Sequence, residues 1–204
     1  MSELPIRARR HWIEYVATAA ALLISAISLW VAIRTEDANT KMVAAASWPF
    51  LQVATSDSDG AGRDILKFDV VNAGVGPALV EYFEVTFDGK PLASSNEMLA
   101  RCCGFDPGTA RPIVEHAPQI GTWIEGNVGG TILRAGEDRV FFNWPRTAAN
   151  GKAWLALRDA AAGGRLRARA CYCSVFNECW QGAYEGLHPA PVDRCVAPKV
   201  AYYE

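Results

Sequence analysis

The chain carries none of the short patterns that announce a common catalytic or nucleotide-binding site. G-x-G-x-x-G and G-x-x-x-x-G-K-[ST] are absent, and so are G-x-S-x-G, H-E-x-x-H and C-x-x-C. These gaps remove the usual signals for dinucleotide and phosphate loops, serine hydrolases, zinc peptidases and thioredoxin-type redox centres. Histidine is scarce, with three in 204 residues. His11 stands beside an apolar run, and His116 and His188 fall in proline-containing irregular stretches, the setting of ordinary surface histidines. There is no basic surplus. Residues 35–204 hold 16 Lys/Arg against 20 Asp/Glu, which excludes the basic face that a phosphate-backbone binder needs. The string Arg165, Arg167, Arg169 has a period of two and reads as one solvated strand face, so no nucleic-acid partner is expected.

What the sequence does have is a long apolar run from Trp12 to Ile33, preceded by Arg7, Arg9, Arg10 and His11. The 19 residues between Glu14 and Arg34 carry no charge and would span about 28 Å as a helix, close to the hydrocarbon thickness of a bilayer. Trp12 and Tyr15 at one end and Trp30 at the other fit the headgroup level. The run exceeds the h-region of a cleaved signal peptide, and Ala44-Ala45-Ala46, the one small-residue cleavage pattern, lies far beyond it. Residues 12–33 therefore read as an uncleaved transmembrane helix, 1–11 as a cytoplasmic N-terminus and 34–46 as a helical stalk ended by Trp48-Pro49. The basic flank predicts that the N-terminus stays inside and that residues 47–204 are exported. Ala21, Ser25, Ser28 and Ala32 share one helix face, extended by Ala17. Such a row either fills an apolar span or seats a second helix in a homo-oligomer.

Residues 47–204 read as one mainly β domain. Strands are predicted over 50–55, 65–71, 79–87, 131–134, 139–144, 165–176 and 179–184, separated by turn signals such as Asp88-Gly89. Short helices are predicted over 94–100 and 154–162, the second closed by Gly163-Gly164. In the 165–176 strand, alternation places Leu166, Ala168, Ala170, Tyr172 and Phe176 on one face, with Arg165, Arg167, Arg169, Cys171, Cys173 and Val175 on the other. Asn72-Ala-Gly74-Val-Gly76-Pro77-Ala78 is a turn whose glycines supply positive φ. The fold class expected is an Ig-like antiparallel β-sandwich with one or two short helices behind a single transmembrane helix.

The N-x-G-x-G-P-A turn between two strands, following one N-terminal membrane helix and the Trp48-Pro49-Phe50 start, resembles uncharacterised bacterial single-pass membrane proteins with a small extracytoplasmic β-sandwich. The resemblance covers residues 12–90 and the segment around Tyr172 to Trp180. It implies an architecture, and it implies no activity.

Six cysteines follow the helix: Cys102, Cys103, Cys171, Cys173, Cys179 and Cys195. Outside the cytoplasm an even count at loop and strand ends argues for disulfides. Cys173 with Cys179 is the preferred local bridge across a hairpin. The others are expected to join Cys102 or Cys103 to Cys171 or Cys195, although the adjacent pair can also bond to each other. The sharper alternative is a metal site built on Cys171, Cys173, Cys179 and Cys195 with His116 or His188, but zinc sites usually show two C-x₂₋₄-C pairs. No metal and no cofactor is therefore expected. The irregular stretch 101–130 is either a cross-linked connector or a binding loop, with Phe105, His116 and Trp123 as contact residues.

These observations point to a non-enzymatic, disulfide-linked interaction protein of the bacterial inner membrane. Its domain would lie in the periplasm and its partner would be another envelope protein. Two alternatives stay open. One is a membrane-tethered enzyme or metal-handling domain using the Cys/His loops. The other is a cytoplasm-facing domain with reduced cysteines in a sensing or defence role.

Overall fold

In the computed structural model, which describes residues 5–104, 121–183 and 188–203, the chain forms two compact units that meet between Ala45 and Ala46. The first is a single helix, α1, Pro5–Ala46. Alanine, leucine and isoleucine carry it through the apolar run without a glycine, and Pro5 stands where a missing N–H costs nothing. Its stretch Trp12–Ala46 is long and apolar enough to cross a membrane, reaches a mean hydropathy of 2.3, and has none of that apolar window buried.

Among its described residues the second unit is mainly β, with antiparallel sheets and two short helices. One sheet holds, in spatial order, β1 (Leu51–Ser58), β2 (Asp64–Asn72), β7 (Asp138–Pro145) and β5 (Ile124–Glu125). The other runs β10 (Ala190–Val192), β9 (Cys179–Ala183), β8 (Leu166–Cys173), β3 (Ala78–Phe87) and β4 (Lys90–Leu92), and β6 (Thr131–Leu133) also pairs with β3. Alternation supplies the inner faces: Leu66, Phe68 and Val70 from β2, and Phe83, Val85 and Phe87 from β3, belong to one buried cluster. Each such side chain contributes about 1.5 to 3 kcal/mol on burial. Asp88 and Gly89 both have positive φ, as the turn between β3 and β4 requires.

A register shift sharpens this core. Phe68 opposes Phe142 while Asp69 opposes Val140, so Phe141 is the extra residue of a bulge. Both phenylalanines are thereby buried, and Phe141 meets Phe83 of the other sheet edge-on at 4.8 Å.

Two helices close the sides. α2 (Ser95–Cys103) starts at Ser94, whose Oγ accepts from Glu97 N, while Glu97 reaches back to Ala93 N. This is the logic of a capping box. It buries Met98 and Leu99 and extends three residues past the predicted end, taking in both cysteines. α3 (Gly151–Ala162) buries Trp154, Leu157, Ala160 and Ala161, and the Trp154 indole donates to Trp144 O at 3.0 Å.

The strand predicted over 165–176 stops at Cys173. Phe176, expected on the inner face beside Tyr172, instead sits half-exposed in the turn to β9, where Asn177 takes positive φ. Cys171 and Cys173, expected on a solvated face with the arginines, are buried. Their cover comes from a part of the chain distant in sequence, the C-terminal segment that carries Cys195.

Candidate functional site

Three features of the second unit stand out: how the chain comes in, how it ends, and what one end of the sheets exposes. The incoming segment Ser47–Phe50 is gripped by the Asn72–Ala78 turn. Asn72 is fully buried, yet its amide uses all its capacity. Oδ1 accepts from Phe50 N at 3.1 Å and Gly74 N at 3.0 Å, and Nδ2 donates to Gly76 O at 2.8 Å and Leu133 O at 3.1 Å. One side chain thus ties the start of β1, the β2–β3 turn and β6. The glycines have a different role from the one expected, since neither is among the positive-φ residues. A Cβ on Gly76 would stand 1.9 Å from Ser47 O, and one on Gly74 would stand 2.4 Å from Phe50 N. They are glycines because the incoming backbone passes where a side chain would be.

The C-terminal segment crosses the outside of the second sheet from edge to edge. It pairs with β9 as β10, it is joined at Cys195 to Cys171 on the neighbouring β8, and Tyr202 N donates to Phe83 O at 2.9 Å on β3. Tyr203 N continues along the far edge to Ala93 O at 3.1 Å. Three strand spacings, about 14 Å, are spanned. This strap explains the buried outer face. Beneath or beside it lie Tyr82, which accepts from Gln181 Nε2 at 2.9 Å, and Glu84, which pairs with Arg169. Tyr202 plugs the core: its ring meets Phe83 and Phe141, and its hydroxyl bonds Ser95. Burial pushes that phenol well above its ordinary pKa.

Cysteine sulfurs come together in three pairs at disulfide distance. Cys173 and Cys179 are register partners in the β8–β9 hairpin, with Cα atoms 4.0 Å apart. Cys171 and Cys195 have a Cα separation of 5.7 Å. Cys102 pairs with Cys103 in the last turn of α2, rather than with Cys171 or Cys195 as the preferred reading had it. The long loop is therefore not stitched to the hairpin, because the strap supplies the partner that Cys171 needs.

The two ends of the sheets differ in chemistry. At the end where Ser47–Phe50 joins, three loops and strand β6 present apolar side chains: Trp48, Val75, Val175 with Phe176, and Ile132 of β6 beside the 134–137 turn, with Val75 63% and Ile132 60% exposed. Register places them together, since β1 starts opposite Asn72, β6 pairs the start of β3, and Leu79 faces Cys173. A shallow depression of about 390 Å³ lined by Ile132, Arg134, Gly136, Glu137 and Arg139 adjoins this rim. The opposite end is polar and ion-paired, with Asp59–Arg63, Asp64–Arg146 and Asp88–Arg165.

Of the expected contact residues in 101–130, Phe105 and His116 lie outside the described residues. Trp123 is 8% exposed and belongs to the core cluster, so its ring is a packing element. His188 is exposed. Ala21, Ser25, Ser28 and Ala32 are all exposed on α1. Arg165 and Arg169 are neutralised by Asp88 and Glu84, while Arg167 Nε donates to Gly164 O at 2.9 Å. Sequence reasoning missed Asn72 and Tyr202. A buried asparagine before G-x-G-P was a usable signal for the first; nothing local marks the second.

Comparison with family models, with curated proteins and with solved structures finds no match.

Proposed function

We propose that this chain is a single-pass protein of a bacterial inner membrane whose Ig-like domain stands in the periplasm and docks another envelope protein, without catalysis of its own. The observation that carries this reading is α1, a helix apolar enough to span a bilayer whose apolar window has no buried residue among the described residues. A soluble protein would have to bury that surface. The same helix would serve as a signal sequence if cleaved, but its apolar length favours an anchor. Arg7, Arg9 and Arg10 before it favour an inside N-terminus, and three cysteine pairs at disulfide distance suit an oxidising compartment.

The Ig-like assignment is supported by strand order. Taking β1, β2, β3, β5, β7, β8 and β9 as A, B, C, D, E, F and G gives A-B-E-D in one sheet and G-F-C in the other, the arrangement of the constant-type immunoglobulin domain. Binding is assigned to the apolar rim, because exposed apolar loop tips gathered at one end mark an interaction surface. Self-association through Ala21, Ser25, Ser28 and Ala32 would double the rim's valency.

An export-dependent phosphatase fused after Glu204 is expected to be active, whereas activity only from a cytoplasm-dependent reporter would overturn the orientation. Photo-cross-linkers at Val75, Ile132 and Phe176 in native membranes are expected to capture a discrete partner, and one at Lys90 on the polar end is not. Equal capture from both ends would remove the rim from the proposal.

A further inference from the structure

The four cysteines under the strap are closer than two separate staples require. Cys173 Sγ lies 3.9 Å from Cys195 Sγ although each is paired elsewhere. The sulfurs of Cys173, Cys179 and Cys195 all fall within 4.8 Å of one another. Cys171 lies outside that set of three, but it is paired with Cys195 and two residues from Cys173 on the same strand, so a turn of its side chain away from Cys195 and toward the other sulfurs makes it the fourth donor. In a tetrahedral tetrathiolate with metal–sulfur bonds of about 2.3 Å, neighbouring sulfurs are about 3.8 Å apart. The donors sit on a rigid frame. Cys171 and Cys173 share one face of β8, Cys179 faces Cys173 across the hairpin, and only Cys195 comes from the strap. An all-sulfur set selects thiophilic d¹⁰ cations over the oxygen-loving magnesium and calcium.

We propose that Cys171, Cys173, Cys179 and Cys195, once reduced, bind one thiophilic divalent cation of the zinc class. The strap is then fastened in either redox state, by the Cys171–Cys195 bond when oxidised or by one metal held on all four sulfurs when reduced. Conversion needs a dithiol reductant. Each S–S bond that breaks takes up two electrons and two protons from one dithiol, which leaves as its own disulfide. Two such exchanges give four thiols. Cation binding displaces their four protons to solvent and leaves a site of net charge −2.

The test uses the full-length chain in detergent, reduced with a phosphine and freed of metal, then titrated with zinc chloride or cobalt chloride. One equivalent is expected, together with the intense visible bands of a tetrahedral cobalt thiolate and loss of alkylation at the four cysteines. The oxidised protein is expected to take up none. Cys173→Ser and Cys195→Ser are expected to lose the cobalt bands, while Cys102→Ser/Cys103→Ser keeps both bands and stoichiometry. The proposal is overturned by a reduced chain of native circular dichroism that binds no zinc, or by binding that survives in Cys173→Ser. A reduced chain that has unfolded and that zinc does not restore overturns it equally. These readouts are indifferent to membrane orientation, so they fail separately from the docking proposal.

Discussion

The second unit is held at its beginning and at its end by opposite means. The incoming segment is clamped by backbone contacts and one saturated asparagine, with no covalent link and no tolerance for a Cβ. The outgoing segment has backbone bonds to β9, Phe83 and Ala93 as well, but it is fastened by side chains, a cysteine pair and a buried tyrosine. The clamp depends on shape and leaves nowhere for an unmet polar group to go. The strap is modular, and its parts can be removed one at a time. Substitutions at the clamp should therefore act on the whole domain, and substitutions in the strap should act on the tail first.

Gly76→Val should break the comparison most sharply. Its Cβ would stand 1.9 Å from Ser47 O, so the incoming segment must leave its groove, and a loss above about 4 kcal/mol or no folded domain is expected in thermal unfolding. Asn72→Ala comes next. It orphans Phe50 N, Gly74 N, Gly76 O and Leu133 O together, at a cost of about 3 to 5 kcal/mol. Cys195→Ser removes the joint between strap and sheet for about 3 kcal/mol or less. Limited proteolysis should cut the tail while the remainder of the domain keeps its protection. Tyr202→Phe keeps the ring in the core and drops only the hydroxyl that meets Ser95, a loss of about 1 kcal/mol. Mild acid should do least. The Arg63 backbone N–H holds Asp59, the Arg165 guanidinium holds Asp88 and the Arg134 backbone N–H holds Glu137 below the usual carboxylate range. Their stabilisation is present above the unfolded pKa and disappears as pH falls through the lowered values. Asp88 is exposed and Asp59 and Glu137 are only partly buried, so a small decline confined to that acidic window is expected in a pH series of melting temperatures.

Much of the frame was legible locally. The length of the uncharged run gives α1, period-two alternation gives β2, β3 and the inner face of β8, and Asp88-Gly89 gives a turn. The Cys173–Cys179 juxtaposition follows from hairpin register alone. What escaped has a common cause, which is that it depends on chain far away in sequence. Cys171 and Cys173 alternate with arginines as a solvated face should, and become buried because residues 190–203 cross over them. Gly74 and Gly76 resemble turn glycines until Ser47–Phe50 is laid against them. Trp123, in the least regular stretch, looks like a surface contact and is drawn into the core. Phe141 and Phe142 cannot both face inward in an ideal strand, and the bulge opposite Phe68 lets them. Pairing of Cys102 or Cys103 with Cys171 or Cys195 gives way because α2 continues through both of the first two and the strap sets Cys195 against Cys171.

The contrast between a polar clamp and a cysteine-fastened strap is tested most directly by non-reducing mass mapping of the full chain taken from native membranes with its thiols blocked at lysis. Peptides cross-linked between Cys171 and Cys195 and between Cys173 and Cys179 are predicted, with no link from Cys102 or Cys103 to any of these four. Six alkylated thiols and no cross-linked peptide would contradict it, and would place the domain on the reducing side of the membrane.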